Sequence, residues 1–162
     1  MADRDRDDSG NARNSRPRDA LGRPLPHGSE GVARIPDELD LTPVESLKYA
    51  QELLDQGLAF NAHEVLEGAW KSAPDDERGV WQGLAQLAVG ITHVQRGNTA
   101  GAAGVLSRAV DHLDDADRPA PHGIDVDGLI GHANALIVDL ARNVDIDAER
   151  LRPRLCSLPE QT

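Results

Sequence analysis

His63 and Glu67 stand one helical turn apart in the stretch FNAHEVLEGAW, residues 60–70. At that spacing both side chains share a helix face. A histidine and a carboxylate so placed can move a proton near neutral pH or supply two ligands to a divalent metal. The run His63-Glu64-x-x-Glu67 falls one residue short of a zinc-protease motif, because a glutamate stands where the second histidine would be. That enzyme needs the histidine pair, so the zinc-protease reading is rejected. Glu64 has a plainer explanation. With Asn61 as helix N-cap it would sit at the third helical position and reach back to the cap's N–H, with Phe60 and Val65 as the accompanying apolar pair.

A second polar stripe follows. Gln82, Gln86, Val89 and His93 recur at helix spacing, with Gly90 beside them, on a segment that is apolar nearly all round. Such a helix belongs in the middle of a bundle, so its polar stripe needs partners. If the two helices pack antiparallel across the turn SAPDDER, His63, Glu67, Gln82, Gln86 and His93 are expected to meet. Three roles stay open for that cluster. It can be a hydrogen-bonded structural joint. It can be a pocket for a small polar ligand, walled by the tryptophans. Or it can be an acid/base or metal site, with His63, Glu67 and His93 as catalytic candidates and as candidate ligands of zinc or iron. All four aromatics of the chain (Tyr49, Phe60, Trp70, Trp81) fall in this region. The other histidines carry less. His112 lies near a helix C-terminus, His27 and His122 in loops, and His132 at the edge of an apolar helix face.

The elements that must position these residues are all helical. Thr42-Pro43-Val44-Glu45 is a capping box with proline at the first helical position. Val44, Leu47, Ala50, Leu54 and Leu58 follow at helix spacing, and Gly57 suits the end. A second helix is expected from about Asn61 to Ser72 and a third from about Glu77 to Arg96, stopped by Gly97. Asn98 caps a fourth, with Ala102, Leu106, Ala109, Val110 and Leu113 on one face. Asp125 caps a fifth, with Leu129, Ala133, Leu136 and Leu140 buried. A short helix is expected near residues 147–151. No strand-like alternation is read anywhere. The expected fold is all-α: a compact bundle of about five helices over residues 37–162, behind a mostly disordered polar tail at 1–36.

The chain has 162 residues, enough for one domain with a real core. Its formal net charge is −11, from 28 acidic and 17 basic residues, and only Lys48 and Lys71 are lysines. The acidic, lysine-poor surface resembles that of proteins from salt-loving organisms, where dense carboxylates keep a chain soluble and salt screens their repulsion. It argues against nucleic acid as a partner. Cys156 is the one cysteine, so no internal disulfide is expected. No apolar run approaches membrane-spanning length, and residues 1–19 lack a signal-peptide core. A cytoplasmic location is expected.

The three segments FNAHEVLEGAW, WQGLAQLAVGITHVQRGN and GAAGVLSRAVDHL resemble the family known as domain of unknown function 309. Its pattern HExLExxW falls on His63, Glu64, Leu66, Glu67 and Trp70. Its pattern QGLxQxAxxxxHxxxGN falls on Gln82, Gly83, Leu84, Gln86, Ala88, His93, Gly97 and Asn98, and the GA-led helix begins at Gly101 and Ala102. The resemblance covers about residues 47–113. It implies a small helical bundle and brings no reaction with it. Glu64, Trp70, Gln82, Gln86 and Asn98 are the binding candidates. A second, weaker resemblance, of a helix pair with small residues to the tetratricopeptide repeat, finds no second copy at that period, so no repeat array is expected. The reading is a helical binding or interaction module for a small polar ligand or a protein partner, with homo-oligomerisation left open. The alternative is a metal-assisted hydrolase using His63, Glu67 and His93.

Overall fold

The computed structural model describes residues 5–6, 12–13 and 40–157. Five α-helices carry it: α1 Pro43–Asp55, α2 Ala59–Ser72, α3 Arg78–Gln95, α4 Thr99–Asp114 and α5 Val126–Ala141. Short 3-10 turns lie at Pro121–Gly123 and Ala148–Leu151. The fold is all-α, as the helical periodicity requires. The expected flexible tail and its boundary near residue 37 fall outside the described residues. The exception is one unexpected feature, a two-residue antiparallel pairing of β1 Asp5–Arg6 with β2 Ala12–Arg13.

Most helix starts follow the sequence signals. Thr42 Oγ1 accepts the Glu45 N–H at 3.2 Å, and Glu45 Oε1 accepts the Thr42 N–H at 3.0 Å. Asn98 and Asp125 accept from the Gly101 and Gly128 N–H groups, both at 3.1 Å. Asn61 departs from expectation. It is buried inside α2, which starts at Ala59 behind Leu58 with no side-chain cap. The capping role expected of Asn61 and Glu64 is therefore corrected. The start of α2 is set by the way α1 ends, because only Gln56, Gly57 and Leu58 separate the end of α1 from Ala59.

Helices α1, α3 and α5 stop by one mechanism. Leu58 N–H reaches back to Leu53 O and Gly57 N–H to Leu54 O; Asn98 and Gly97 repeat this onto His93 and Val94, and Val144 and Asn143 onto Asp139 and Leu140. Each stop needs one residue at positive φ, which Gly57 (78°), Gly97 (76°) and Asn143 (56°) supply. The first two stops belong to a correspondence whose period is longer than that of the tetratricopeptide repeat. The hairpin α1–α2 and the hairpin α3–α4 correspond at a constant offset of forty residues: Leu47 to Leu87, Ala50 to Gly90, Gly57 to Gly97, Ala62 to Ala102, Leu66 to Leu106, Ala69 to Ala109. All but the turn glycines and Ala69 are buried, and Ala69 packs partly buried against the core. Shared positions so rich in alanine and glycine give a faint sequence signal.

Consecutive helices pack on one another, α3 on α4 most extensively. That contact depends on missing side chains. A Cβ at Gly90 would lie 2.6 Å from Leu106 Cδ2, and one at Gly83 would lie 2.9 Å from Leu113 Cγ. Both leucines are fully buried, so neither can move aside cheaply.

The array is closed by residues 151–157, whose packing the sequence reading did not anticipate. Leu151, Pro153 and Leu155 are buried while Arg152 and Arg154 are exposed, an alternation of period two. Gln51 of α1 donates from Nε2 to Pro153 O and accepts from Leu155 N–H through Oε1, both at 2.9 Å. Asp125 and Ser157 continue the line through Leu155 O and Gly123 O.

Gly90→Ala is expected to destabilise the fold by about 1–3 kcal/mol through overpacking against Leu106. Gly104→Ala, at an exposed site with room for a methyl group, is expected to gain up to about 1 kcal/mol of helix propensity. Urea unfolding of the two variants checks the opposite signs.

Candidate functional site

The middle of α2 carries the first half of the expected cluster. His63 Nε2 lies 3.0 Å from Glu67 Oε2, and Lys71 Nζ lies 3.4 Å from Glu67 Oε1. The His63 side chain is 21% exposed and that of Glu67 37% exposed, so the pair sits at the protein surface with the imidazole sunk inward. Burial holds the His63 imidazole below its ordinary value of 6.5; the Glu67 carboxylate opposes that shift and Lys71 adds to it. His63 is therefore neutral at pH 7, and its Nε2–H donates to the carboxylate in a hydrogen bond rather than a full ion pair. Its Nδ1 is then an acceptor, and it is buried with no hydrogen-bond partner among the described residues.

Aromatic rings flank this pair along one stripe. Phe60, His63, Glu67 and Trp70 are all half-buried. The Phe60 ring meets the His63 ring with centroids 5.6 Å apart at 52°. The two ends of α3 place guanidinium groups over the outer rings: Arg96 lies 5.8 Å from the Phe60 centroid and Arg78 lies 5.7 Å from that of Trp70. Those distances suit cation–π attraction. Neither arginine was singled out in the sequence, although both sit at the helix ends that antiparallel packing brings to the ends of α2.

The second half of the expected cluster lies elsewhere. On α3, Gln86 turns to α4, where its Oε1 accepts from His112 Nδ1 at 2.8 Å. The same His112 nitrogen lies 3.1 Å from Arg108 O, an obligate acceptor, so Nδ1 carries the proton. His93 Nδ1 accepts from Asn98 Nδ2 at 3.1 Å, while Asn98 Oδ1 caps α4. This pair occupies the places that Leu53 and Leu58 hold in the first hairpin, where an apolar contact ordinarily closes the helix stop. His93 and Asn98 thus form a polar version of that closure. Gln82 is half-buried farther along the same stripe. The expectation that Gln86 and His93 join His63 and Glu67 is corrected, because α3 spends its polar stripe on α4. Among the described residues, no group of three histidine, cysteine, aspartate or glutamate side chains is placed to hold a metal ion. His63, Glu67 and His93 accordingly are not grouped as three ligands for a metal ion among the described residues.

The α3 residue that does turn to the start of α2 is Gln95, which the sequence reading passed over. Its Nε2 donates to Gly57 O at 3.0 Å, and its Oε1, like His63 Nδ1, is buried without a partner among the described residues. Glu64 is half-buried on α2. A further pair joins α3 to the loop before α5: His122 Nε2 lies 2.6 Å from Glu77 Oε1, with the His122 ring against Trp81 at 6.1 Å. Trp81 is buried beneath it, so it forms no wall beside Trp70. No described helix is long and apolar enough to cross a membrane.

Comparison with known proteins matches residues 47–105 to the family described as Domain of unknown function (DUF309). The uncharacterized protein YpuF of Bacillus subtilis (strain 168) is 42% identical over 52 residues, which are 32% of this chain and 30% of that protein. The match thus spans under a third of the relative's length. No solved structure matches. The matched region holds α2, α3 and the Asn98 cap, and it ends before the closing segment 151–157.

His63→Gln is expected to remove one component of acid sensitivity. A histidine held below its ordinary value contributes stability that is present above about pH 6.5 and lost as pH falls through its folded-state value. The parent should lose stability relative to the variant on acidification through that window, with the two running parallel above it. Urea midpoints measured across pH check this.

Proposed function

We propose that this chain, which carries a domain of unknown function 309 over residues 47–105, is a helical binding module. Its contact face is the α2 stripe Phe60, His63, Glu67 and Trp70, framed by Arg78 and Arg96, and its partner is a protein. The observation that carries this reading is the correspondence between the two hairpins. At the matching positions of α4 stand Ala100, Ala103, Ser107 and Val110. The fold therefore builds this helix pair without large rings or a His–Glu pair, and α2 adds them on top of a shared core.

The chemistry suits a protein surface. The stripe runs about 15 Å along the helix, ten residues at 1.5 Å each, which is long for a small-ligand contact. Tryptophan and arginine dominate the energetics of protein interfaces, and half-buried rings are already partly ordered before binding. The His63–Glu67 pair supplies orientation at the centre.

Trp70→Ala and Glu67→Ala are the test. Protein captured from extract of the source cells by the parent and by the remote-surface control Val138→Ala should be lost from Trp70→Ala, with affinity lower by about 2 kcal/mol or more. An identical captured set on all four proteins would contradict the reading. The acidic surface also supports a high-salt working environment. Thermal unfolding temperature should rise from low to molar salt, where screening acts within about 3 Å, and an unchanged temperature would contradict that part.

A further inference from the structure

Residues 151–157 are held the way a peptide is held by a binding groove. The segment lies between the first and last helices, whose direct packing is slight beside that of consecutive helices. Gln51 reads its backbone with a side-chain amide, taking Pro153 O and Leu155 N–H together. The Asp125 N–H and Gly123 O then take Leu155 O and Ser157 N–H at 2.9 and 3.0 Å. These four bonds follow one another along the segment, and Ile124 and Cys156 pair there in an isolated antiparallel bridge. Gln51 stands in for a strand at Pro153 and Leu155. Such recognition takes affinity from the backbone and selectivity from alternate side chains.

The side chains define that selectivity. Leu151, Pro153 and Leu155 enter the protein. Proline fits at the middle place because Gln51 asks only for its carbonyl. The charges are complementary: Arg150 meets Asp139 of α5 at 2.6 Å, and Arg154 meets Asp55 of α1 at 3.8 Å. His132 of α5 also hydrogen-bonds the Arg150 backbone. The segment follows an exposed connection at residues 142–145 and lies outside the part matched to the family.

We propose that the α1–α5 groove is a docking site for basic peptide segments of the pattern Leu-x-Pro-x-Leu, and that residues 151–157 are its resident occupant in cis. A partner's segment of that chemistry competes with the chain's own, so the closing segment regulates access. This site is independent of the α2 face.

A protease site inserted into the full chain between Val144 and Asp145 tests the idea. The probe is a fluorescein-labelled peptide of residues 147–157 with Ser in place of Cys156, read by anisotropy, while circular dichroism reports the fold. After cleavage the protein should stay helical and take up the probe at one per chain. The uncut chain should bind it about tenfold more weakly or worse, because the tethered segment competes at an effective concentration of order millimolar. Gln51→Leu in the cut protein should weaken binding about tenfold or more, as expected for two lost hydrogen bonds. A probe with the two leucines and the proline replaced by serine should not bind. Loss of helicity on cleavage would overturn the proposal by showing the segment to be an inseparable part of the core. So would a folded cut protein that takes up no probe, or uptake that is equal in cut and uncut chains and indifferent to Gln51→Leu. Uptake of a second uncut copy's segment, seen as a dimer that the probe cannot dissociate, would also overturn it.

Discussion

The closeness of α3 to α4 governs how the rest of the molecule is arranged. Two glycines, Gly83 and Gly90, leave space that Leu113 and Leu106 fill, and a methyl group at either place would collide with a buried leucine. With the helices pressed together, the polar edge of α3 meets α4. Gln86 finds His112 there, and His93 finds Asn98. Gln86, half-buried at that contact, gains a hydrogen bond from His112 by facing α4. The face of α3 turned to α2 is left largely apolar. The polar and aromatic stripe of α2 consequently remains half-buried at the surface, with Arg78 and Arg96 at the ends of α3 reaching over its outer rings.

Much of this was legible in the sequence. Helix number and type followed from periodicity, and the caps Thr42, Asn98 and Asp125 were each readable from a side chain placed three residues before the N–H it accepts. The His63–Glu67 contact was legible because both residues lie on one helix. What failed was everything that needed the rotation of one helix against another. Periodicity says that Gln82, Gln86 and His93 share a stripe, but not whether the stripe faces the helix before or the helix after. Gly83 and Gly90 carried that information, since a helix approaches most closely where its side chains vanish. The start of α2 failed for a related reason: burial of Ala59, Asn61 and Ala62 outweighed the capping preference of Asn61.

The forty-residue correspondence and the closing segment share a lesson about weak signals. Hairpins built on alanine, glycine and a few leucines match at positions where any compact helix pair would use small residues. The positions that differ are therefore the informative ones, and Phe60, His63, Glu67 and Trp70 are among them. Residues 151–155 alternate apolar and charged over a single short stretch, too brief to register as a strand, yet burial and the Gln51 amide make that alternation decisive. The chain thus has two features built differently: a half-buried polar and aromatic stripe on α2, and a closing segment held through its backbone by Gln51, Asp125 and Gly123.

The most direct test of this account is a long-range nitrogen–proton NMR spectrum of the imidazole rings above neutral pH, assigned with single histidine variants. If α3 gives its polar stripe to α4, His93 accepts at Nδ1 and carries its proton on Nε2, while His112 donates from Nδ1 and carries its proton there. The account predicts these two opposite, fixed tautomers. Averaged signals at both residues, of the kind an exposed imidazole gives, would contradict it, as would a His112 protonated on Nε2.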